Sequence, residues 1–240
     1  MEFVTVGSRD DPALLLIHPS KCDGHCFEVL YPYLRGYRLI CPTLGGHNLD
    51  DDSVYEGGEA EAGMIERYLR SEGVAKLHAV LGVSIGAVVA YWLNRRGKVA
   101  IGRLVFDGAP FRRMSDRTKR LIIKRQIEIS DKCRENPQGK FRADTMYPQL
   151  APMMKKVSAH YSEATIRNII NDVGLELDGS IDSERVTFLY GEKDFYRRAI
   201  GDVKKAGYKC RREIRKGCGH IQWMLKEPEQ YAKALVGDRV

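Results

Sequence analysis

No apolar run in this 240-residue chain approaches the roughly 20 residues that a helix needs to cross a bilayer. The start, Met1-Glu2-Phe3-Val4-Thr5-Val6-Gly7-Ser8, has no basic opening, apolar stretch or small-residue cleavage site of a secretion signal. A cytoplasmic protein with no integral membrane segment is the expectation. Cysteine is sparse and scattered: Cys22, Cys26, Cys41, Cys133, Cys210 and Cys218 lack the compact spacing of a disulfide scaffold, so reduced thiols are expected. Cys22, His25 and Cys26 lie near one another, yet no CxxC pair or spaced histidine pair completes a ligand set. No metal and no organic cofactor are expected. Basic residues are plentiful, but no recognised nucleic-acid module accompanies them, so nucleic acid is not an expected partner.

What the chain does have is enough apolar material, 43% of residues, to bury one sizeable core. Its first half alternates strand-like and helix-like runs with short connections, the pattern of a mostly parallel sheet covered on both faces. Only about a dozen residues precede the apolar run 13–17, which leaves little room for an N-terminal hairpin and predicts a sheet trimmed at that edge. A strand at 99–106 ends in Asp107-Gly108-Ala109-Pro110, and the strand rhythm then stops until about residue 183. Within that interval, 114–133 (apolar at Leu121, Ile122, Ile123, Ile127 and Ile129) and 161–173 (Tyr161, Ile166, Ile169, Ile170) repeat near 3.6 residues and predict helices. Strands resume at 185–190, closed by Gly191-Glu192-Lys193-Asp194, and near 208–216, followed by Gly217-Cys218-Gly219-His220 and a helical pattern over 221–236.

The densest signal is Gly82-Val83-Ser84-Ile85-Gly86, set between the apolar runs 77–81 and 87–92. Glycines two before and two after a serine suit a strained strand-to-helix turn that exposes the hydroxyl at a helix N-terminus, where free N–H groups and the dipole favour developing negative charge. An ordinary glycine-containing turn with a serine cap gives the same five letters. The downstream order separates the two readings: an acid follows one later strand, Asp194, and a histidine the next, His220. Asp107 also directly follows a strand and stands as the alternative acid.

With these segments in view, nearly the whole chain, in order, resembles the α/β-hydrolase family. His18-Pro19-Ser20 after the strand 13–17 resembles the family's oxyanion turn, and Cys41-Pro42-Thr43-Leu44-Gly45-Gly46-His47-Asn48 its glycine-histidine-glycine loop. Gly191-Glu192-Lys193-Asp194 is similar to the acid-bearing strand end, and Gly217-Cys218-Gly219-His220 to the histidine turn. Pro19 replaces a common glycine and Thr43 a common aspartate. The resemblance implies an α/β fold: a mostly parallel central sheet flanked by helices, with a helical cap inserted after the sixth strand. Residues 1–110 and 184–240 would form the core and 111–183 the cap.

The resemblance further implies a serine hydrolase for a carboxylic ester or thioester: Ser84 as nucleophile, His220 as general base, Asp194 as the orienting acid, and the backbone N–H groups of Ser20 and Ile85 as the oxyanion hole. A serine there excludes the haloalkane dehalogenases and epoxide hydrolases of this fold, whose nucleophile is aspartate. Acyl transfer, amide or carbon–carbon bond hydrolysis, and a non-catalytic ligand receptor remain alternatives, since one fold hosts many reactions. His18 and His47 are read as binding the backbone around the oxyanion turn, His78 and His160 as structural. Between residues 111 and 160, 13 lysines and arginines face 5 acids, a local excess of eight in a chain of net charge +7. Such a stretch is commonly a solvated helix face; it is also compatible with a small anionic acyl substrate or an anionic membrane surface. Phe111, Met114, Met146, Tyr147, Met153, Met154 and Trp223 are the candidate pocket residues, and the oligomeric state is left open.

Overall fold

The computed structural model describes residues 1–177, 183–205, 207 and 210–237. Residues 178–182, at the end of the expected cap, and 208 and 209, at the start of the last expected strand, lie outside the described residues. Seven strands form one sheet: β1 (Glu2–Val6), β2 (Ala13–Ile17), β3 (Arg38–Thr43), β4 (Lys76–Val83), β5 (Ala100–Asp107), β6 (Val186–Gly191) and β7 (Arg211–Arg215). Their order is β1-β3-β2-β4-β5-β6-β7. β1 alone is antiparallel, pairing Glu2 with Thr43 and Val6 with Leu39, and every other neighbour is parallel. Among the described residues a single strand precedes β2. In consequence the helices after β5 follow the fifth strand of this chain, where the resemblance implied the sixth.

Strand composition explains the layering. β2 is Ala-Leu-Leu-Leu-Ile and wholly buried, as a strand covered on both faces must be. Its residues alternate between two cores: Leu15 and Ile17 pack with Val80, Leu104, Phe106 and Phe188 on one face, Leu14 and Leu16 with Leu81, Val105 and Leu189 on the other. Helices α1 (Gly58–Ser71) and α2 (Ile85–Arg96) supply the first face. A 3₁₀ segment, Gly24–Tyr33, closes the second with residues of the C-terminal helices. α2 ends at Gly97, whose φ of 64° gives the left-handed cap that stops a helix.

Between β5 and β6 stand α3 (Asp116–Glu135), α4 (Arg142–Met146), α5 (Ala151–His160) and α6 (Glu163–Asp172). α3 and α6 match the two expected helices, and serines cap both: Ser115 accepts from the Thr118 N–H and Ser162 from the Thr165 N–H. α4 and α5 were not foreseen; one is a five-residue turn and the other opens on Leu150-Ala151-Pro152, too short or irregular to show a period. The inward face of α3 carries Ile123, Ser130 and Cys133, while Leu121, expected among its apolar positions, is 63% exposed. The chain closes with α7 (Ala199–Lys205), α8 (Gln222–Lys226) and α9 (Pro228–Val236). No helix among the described residues is long and apolar enough to cross a membrane.

Candidate functional site

The parallel register carries the ends of β4, β5, β6 and β7 to one edge of the sheet, where Asp107 ends β5 and Ser84, Asp194 and His220 follow the other three. Val83 of β4 pairs with Asp107 of β5, which pairs with Leu189 of β6, and Gly191 of β6 pairs with Arg215 of β7. Ser84 follows β4 directly at φ 53° and ψ −114°, a left-handed conformation that costs a non-glycine residue on the order of 1–3 kcal/mol. Its N–H donates to the Asp107 carbonyl at 2.8 Å and its carbonyl accepts from the Ala87 N–H at 3.0 Å, which fixes the turn.

The flanking glycines are required by proximity. A Cβ on Gly86 would lie 2.3 Å from the Ile17 carbonyl oxygen, and one on Gly82 would lie 2.5 Å from the Gly86 oxygen, with backbone atoms that cannot yield in both cases. Gly86→Ala is therefore expected to lower the unfolding free energy by about 3 kcal/mol or to abolish soluble expression, as denaturant titration would show.

The histidine and its acid meet at the same edge. His220 Nδ1 and Asp194 Oδ2 are 2.9 Å apart, and the Asp194 side chain is fully buried. Asp194 Oδ1 accepts the Tyr196 N–H at 2.8 Å. With an ionised carboxylate as acceptor, Nδ1 must carry the proton, so Nε2 is the free lone pair of the ring. The His220 ring lies over Gly108, where a Cβ would fall 2.5 Å from Cε1. Gly108 follows the residue that binds the Ser84 N–H, so ring and serine turn share one short stretch of backbone. The Ser84 hydroxyl itself makes no hydrogen bond among the described residues.

Asp107, the alternative acid, faces elsewhere: its Oδ2 accepts from the Tyr231 hydroxyl at 2.8 Å. Burial pushes its carboxyl up to about 7, against the Tyr231 hydrogen bond and the nearby His220 ring, which lower it, and with the Asp194 charge, which raises it. A folded-state value above the unfolded one means that the folded chain holds the extra proton between about pH 4 and 7, so this residue makes stability fall as pH rises through that window. Asp107→Asn keeps an acceptor for Tyr231 and removes the charge. It should raise stability at pH 8 by on the order of 2 kcal/mol and leave it near wild type at pH 4, measured by thermal unfolding at the two values.

On the other side of Ser84, β2 runs in register with β4, Ile17 opposite Gly82, so the turn at 18–21 flanks the serine. His18 Nδ1 lies 2.9 Å from the Pro19 oxygen while its Nε2 accepts the Leu44 N–H at 3.0 Å. These contacts define a neutral ring protonated at Nδ1, and burial holds its pKa well below the usual range. His47 is held likewise, with Nδ1 2.9 Å from the Gly45 oxygen and Nε2 2.6 Å from the Tyr161 hydroxyl; burial lowers it to about 4. Tyr161 then accepts the Lys21 N–H at 2.6 Å. His18 thus binds backbone of the turn and of Leu44, whereas His47 binds backbone of its own loop and reaches the turn through Tyr161. The backbone N–H groups of Ser20 and Ile85 have no partner among the described residues. His78 contacts the Val236 carbonyl and His160 the Asp51 carbonyl.

Two elements of this site were not legible beforehand. Tyr161, read only as an apolar helix position, joins the turn at 18–21 to the His47 loop. Lys21 has φ 66°, a conformation that no residue type at that position announces. Of the candidate pocket residues, Phe111 goes into the core against Phe106 and Phe188, whereas Met146 meets the histidine turn, its carbonyl accepting from Gln222.

No family model matches the chain, and no curated protein matches it. Solved structures do. An α/β-hydrolase family protein from Desulfitobacterium hafniense superposes with a TM-score of 0.75 at 21% identity, covering 97% of this chain and 98% of that one. An esterase from Exiguobacterium antarcticum gives 0.74 at 16% identity over 97% and 92%, and a bromoperoxidase from Bacillus anthracis 0.73 at 17% over 97% and 92%. Identities this low carry the architecture and not the reaction. That architecture, a mostly parallel seven-stranded sheet with the serine turn after its β4 strand, is the α/β-hydrolase fold.

Proposed function

We propose that the protein is a serine hydrolase that cleaves a carboxylic ester or thioester through an acyl-enzyme on Ser84. The observation that carries this reading is the Asp194–His220 pair, held at the edge where the strained Ser84 turn projects. A neutral serine is a weak nucleophile and needs a base; His220 Nε2 is the lone pair left for it. As Ser84 Oγ attacks the carbonyl, its proton passes to Nε2, and the buried Asp194 carboxylate stabilises the resulting imidazolium. The oxyanion is held by the N–H groups of Ser20 and Ile85, each worth about 3 kcal/mol in comparable sites. His220 then returns the proton to the leaving alcohol or thiol. Water, deprotonated by the same Nε2, attacks the acyl-enzyme and releases the acid and Ser84.

In this reading α3 to α6 act as a cap that screens the serine from water, with Ser84 only 8% exposed. Steady-state hydrolysis of 4-nitrophenyl esters and acyl thioesters of increasing chain length tests the reaction class. A folded protein that turns over none of them and takes no fluorophosphonate label contradicts it.

The Tyr161 hydroxyl gives a more local test. Tyr161→Phe removes the acceptor of the Lys21 N–H and the donor to His47, loosening the turn that presents Ser20. A fall in kcat on the order of 10-fold is expected, with KM nearly unchanged, because a misplaced oxyanion donor weakens the transition state more than the ground state. Equal losses in kcat and thermal stability on every substrate, with KM rising, would point to general disruption.

A further inference from the structure

His220 is the apex of a tight loop, and one side chain closes that loop. Gln222 Oε1 accepts the Gly219 N–H at 2.8 Å while the Gln222 backbone N–H donates to the Gly219 carbonyl at 3.3 Å, so both backbone polar groups of Gly219 are tied to Gln222 across the histidine. Between them Ile221, buried, sits at φ 53°, a left-handed conformation that is an outlier for a β-branched residue and persists only where surrounding contacts enforce it. The other end of the Gln222 amide leaves the loop: Nε2 donates to the Met146 carbonyl at 2.9 Å. Met146 ends α4, so that carbonyl lies beyond the helix's own hydrogen bonds and is open to an outside donor. The Met146 side chain rests on the same loop, its Cε 3.8 Å from where a Cβ on Gly219 would stand. α4 is in turn pinned to α5 by Asp144 and Lys155, 3.0 Å apart.

The imidazole itself is bounded by Asp194 at Nδ1, by the Gly108 backbone near Cε1 and by the Tyr196 ring, with centroids 5.3 Å apart. Those groups all follow β5 or β6, whereas the loop that carries the ring is anchored on the helical segment. Making both Gln222 bonds takes an acceptor and a donor on one side chain, and the glutamine amide has both without a charge. Resting on the serine-hydrolase reading above, we infer that Gln222 is a positioning residue that couples the helical segment after β5 to the general base: the end of α4 holds the His220 loop in register with Ser84.

The experiment compares wild type with three variants. Gln222→Met removes both bonds at similar volume, Gln222→Lys keeps a donor for the Met146 carbonyl, and Gln222→Glu keeps the acceptor for Gly219 while setting a carboxylate against that carbonyl. On 4-nitrophenyl esters Gln222→Met should lose about 10- to 100-fold in kcat, as for a small misplacement of a reacting group, with KM within about twofold of wild type. Gln222→Lys should retain more kcat than Gln222→Glu. A role confined to charge near the imidazolium predicts the reverse order, because a carboxylate favours that cation and an ammonium opposes it. An unchanged kcat in Gln222→Met, or Gln222→Glu more active than Gln222→Lys, overturns the inference. The low-field proton resonance of His220 Nδ1–H, identified by its loss in His220→Asn, reads the same geometry without substrate. It should weaken or vanish in Gln222→Met at a temperature where thermal unfolding shows that variant folded, and persist in Gln222→Lys. A signal unaltered in Gln222→Met overturns the positioning role; its loss there, beside a wild type that turns over no ester, would overturn the hydrolase reading and leave the positioning role standing.

Discussion

Ser84→Ala is expected to abolish fluorophosphonate labelling and to lower kcat by about four to six orders of magnitude, while the protein stays folded. The loss is large because the serine and its base act as one unit, so what is left is whatever the oxyanion donors and substrate binding achieve with water. Stability should change little. Ser84 has φ 53° and its hydroxyl has no partner among the described residues, so alanine keeps the same Cβ in the same strained turn and forfeits no hydrogen bond. A change within about 1 kcal/mol is expected on that account. Intact-mass measurement of labelled wild type and variant, beside their thermal unfolding curves, reads both quantities. An adduct that persists in folded Ser84→Ala protein would assign the nucleophile to another residue.

Asp194→Asn should lower kcat by about 10⁴-fold, and Asp107→Asn by no more than a few-fold. Asp194 accepts two hydrogen bonds in the buried site, from the Tyr196 N–H and from His220 Nδ1–H. Asparagine has one acceptor for these two donors. If its oxygen stays on Tyr196, its NH₂ faces Nδ1, the ring must become an acceptor there, and the proton moves to Nε2, where it removes the base that Ser84 needs. If the oxygen turns to His220, the NH₂ meets the Tyr196 N–H and a buried donor is left unsatisfied, at a cost of about 1–3 kcal/mol. Asp107 accepts one side-chain hydrogen bond, from Tyr231, which asparagine preserves. The reverse outcome, a damaging Asp107→Asn beside a mild Asp194→Asn, would transfer the orienting role to Asp107. Asp107 ends β5 and Asp194 follows the neighbouring parallel strand β6, so the distinction rests on which carboxylate faces Nδ1.

Much of this molecule is written in local patterns. Burial of all of β2 and of β4 from Ala79 to Val83 makes them read as apolar runs, and glycine spacing marks the turn at Ser84 because backbone from β2 presses on Gly86. The order serine, acid, histidine follows from the succession of strand ends, which chain order records directly. The periodic helices α3 and α6 are legible for the same reason, whereas α4 spans too few turns to repeat a pattern and α5, equal in length to α6, opens irregularly on Leu150-Ala151-Pro152.

The sequence by itself determined the layered α/β architecture, the positions of the candidate nucleophile and base, and the excess of positive charge after β5, because each depends on neighbours in the chain. Only the tertiary structure brought Asp194 to the His220 ring and Asp107 to the Tyr231 hydroxyl, turned Leu121 outward, and joined Tyr161 to His47 and Lys21 across more than a hundred residues. Those outcomes depend on which side chains meet when distant strands and helices pack, and directional contacts between remote residues leave no period or spacing in the chain.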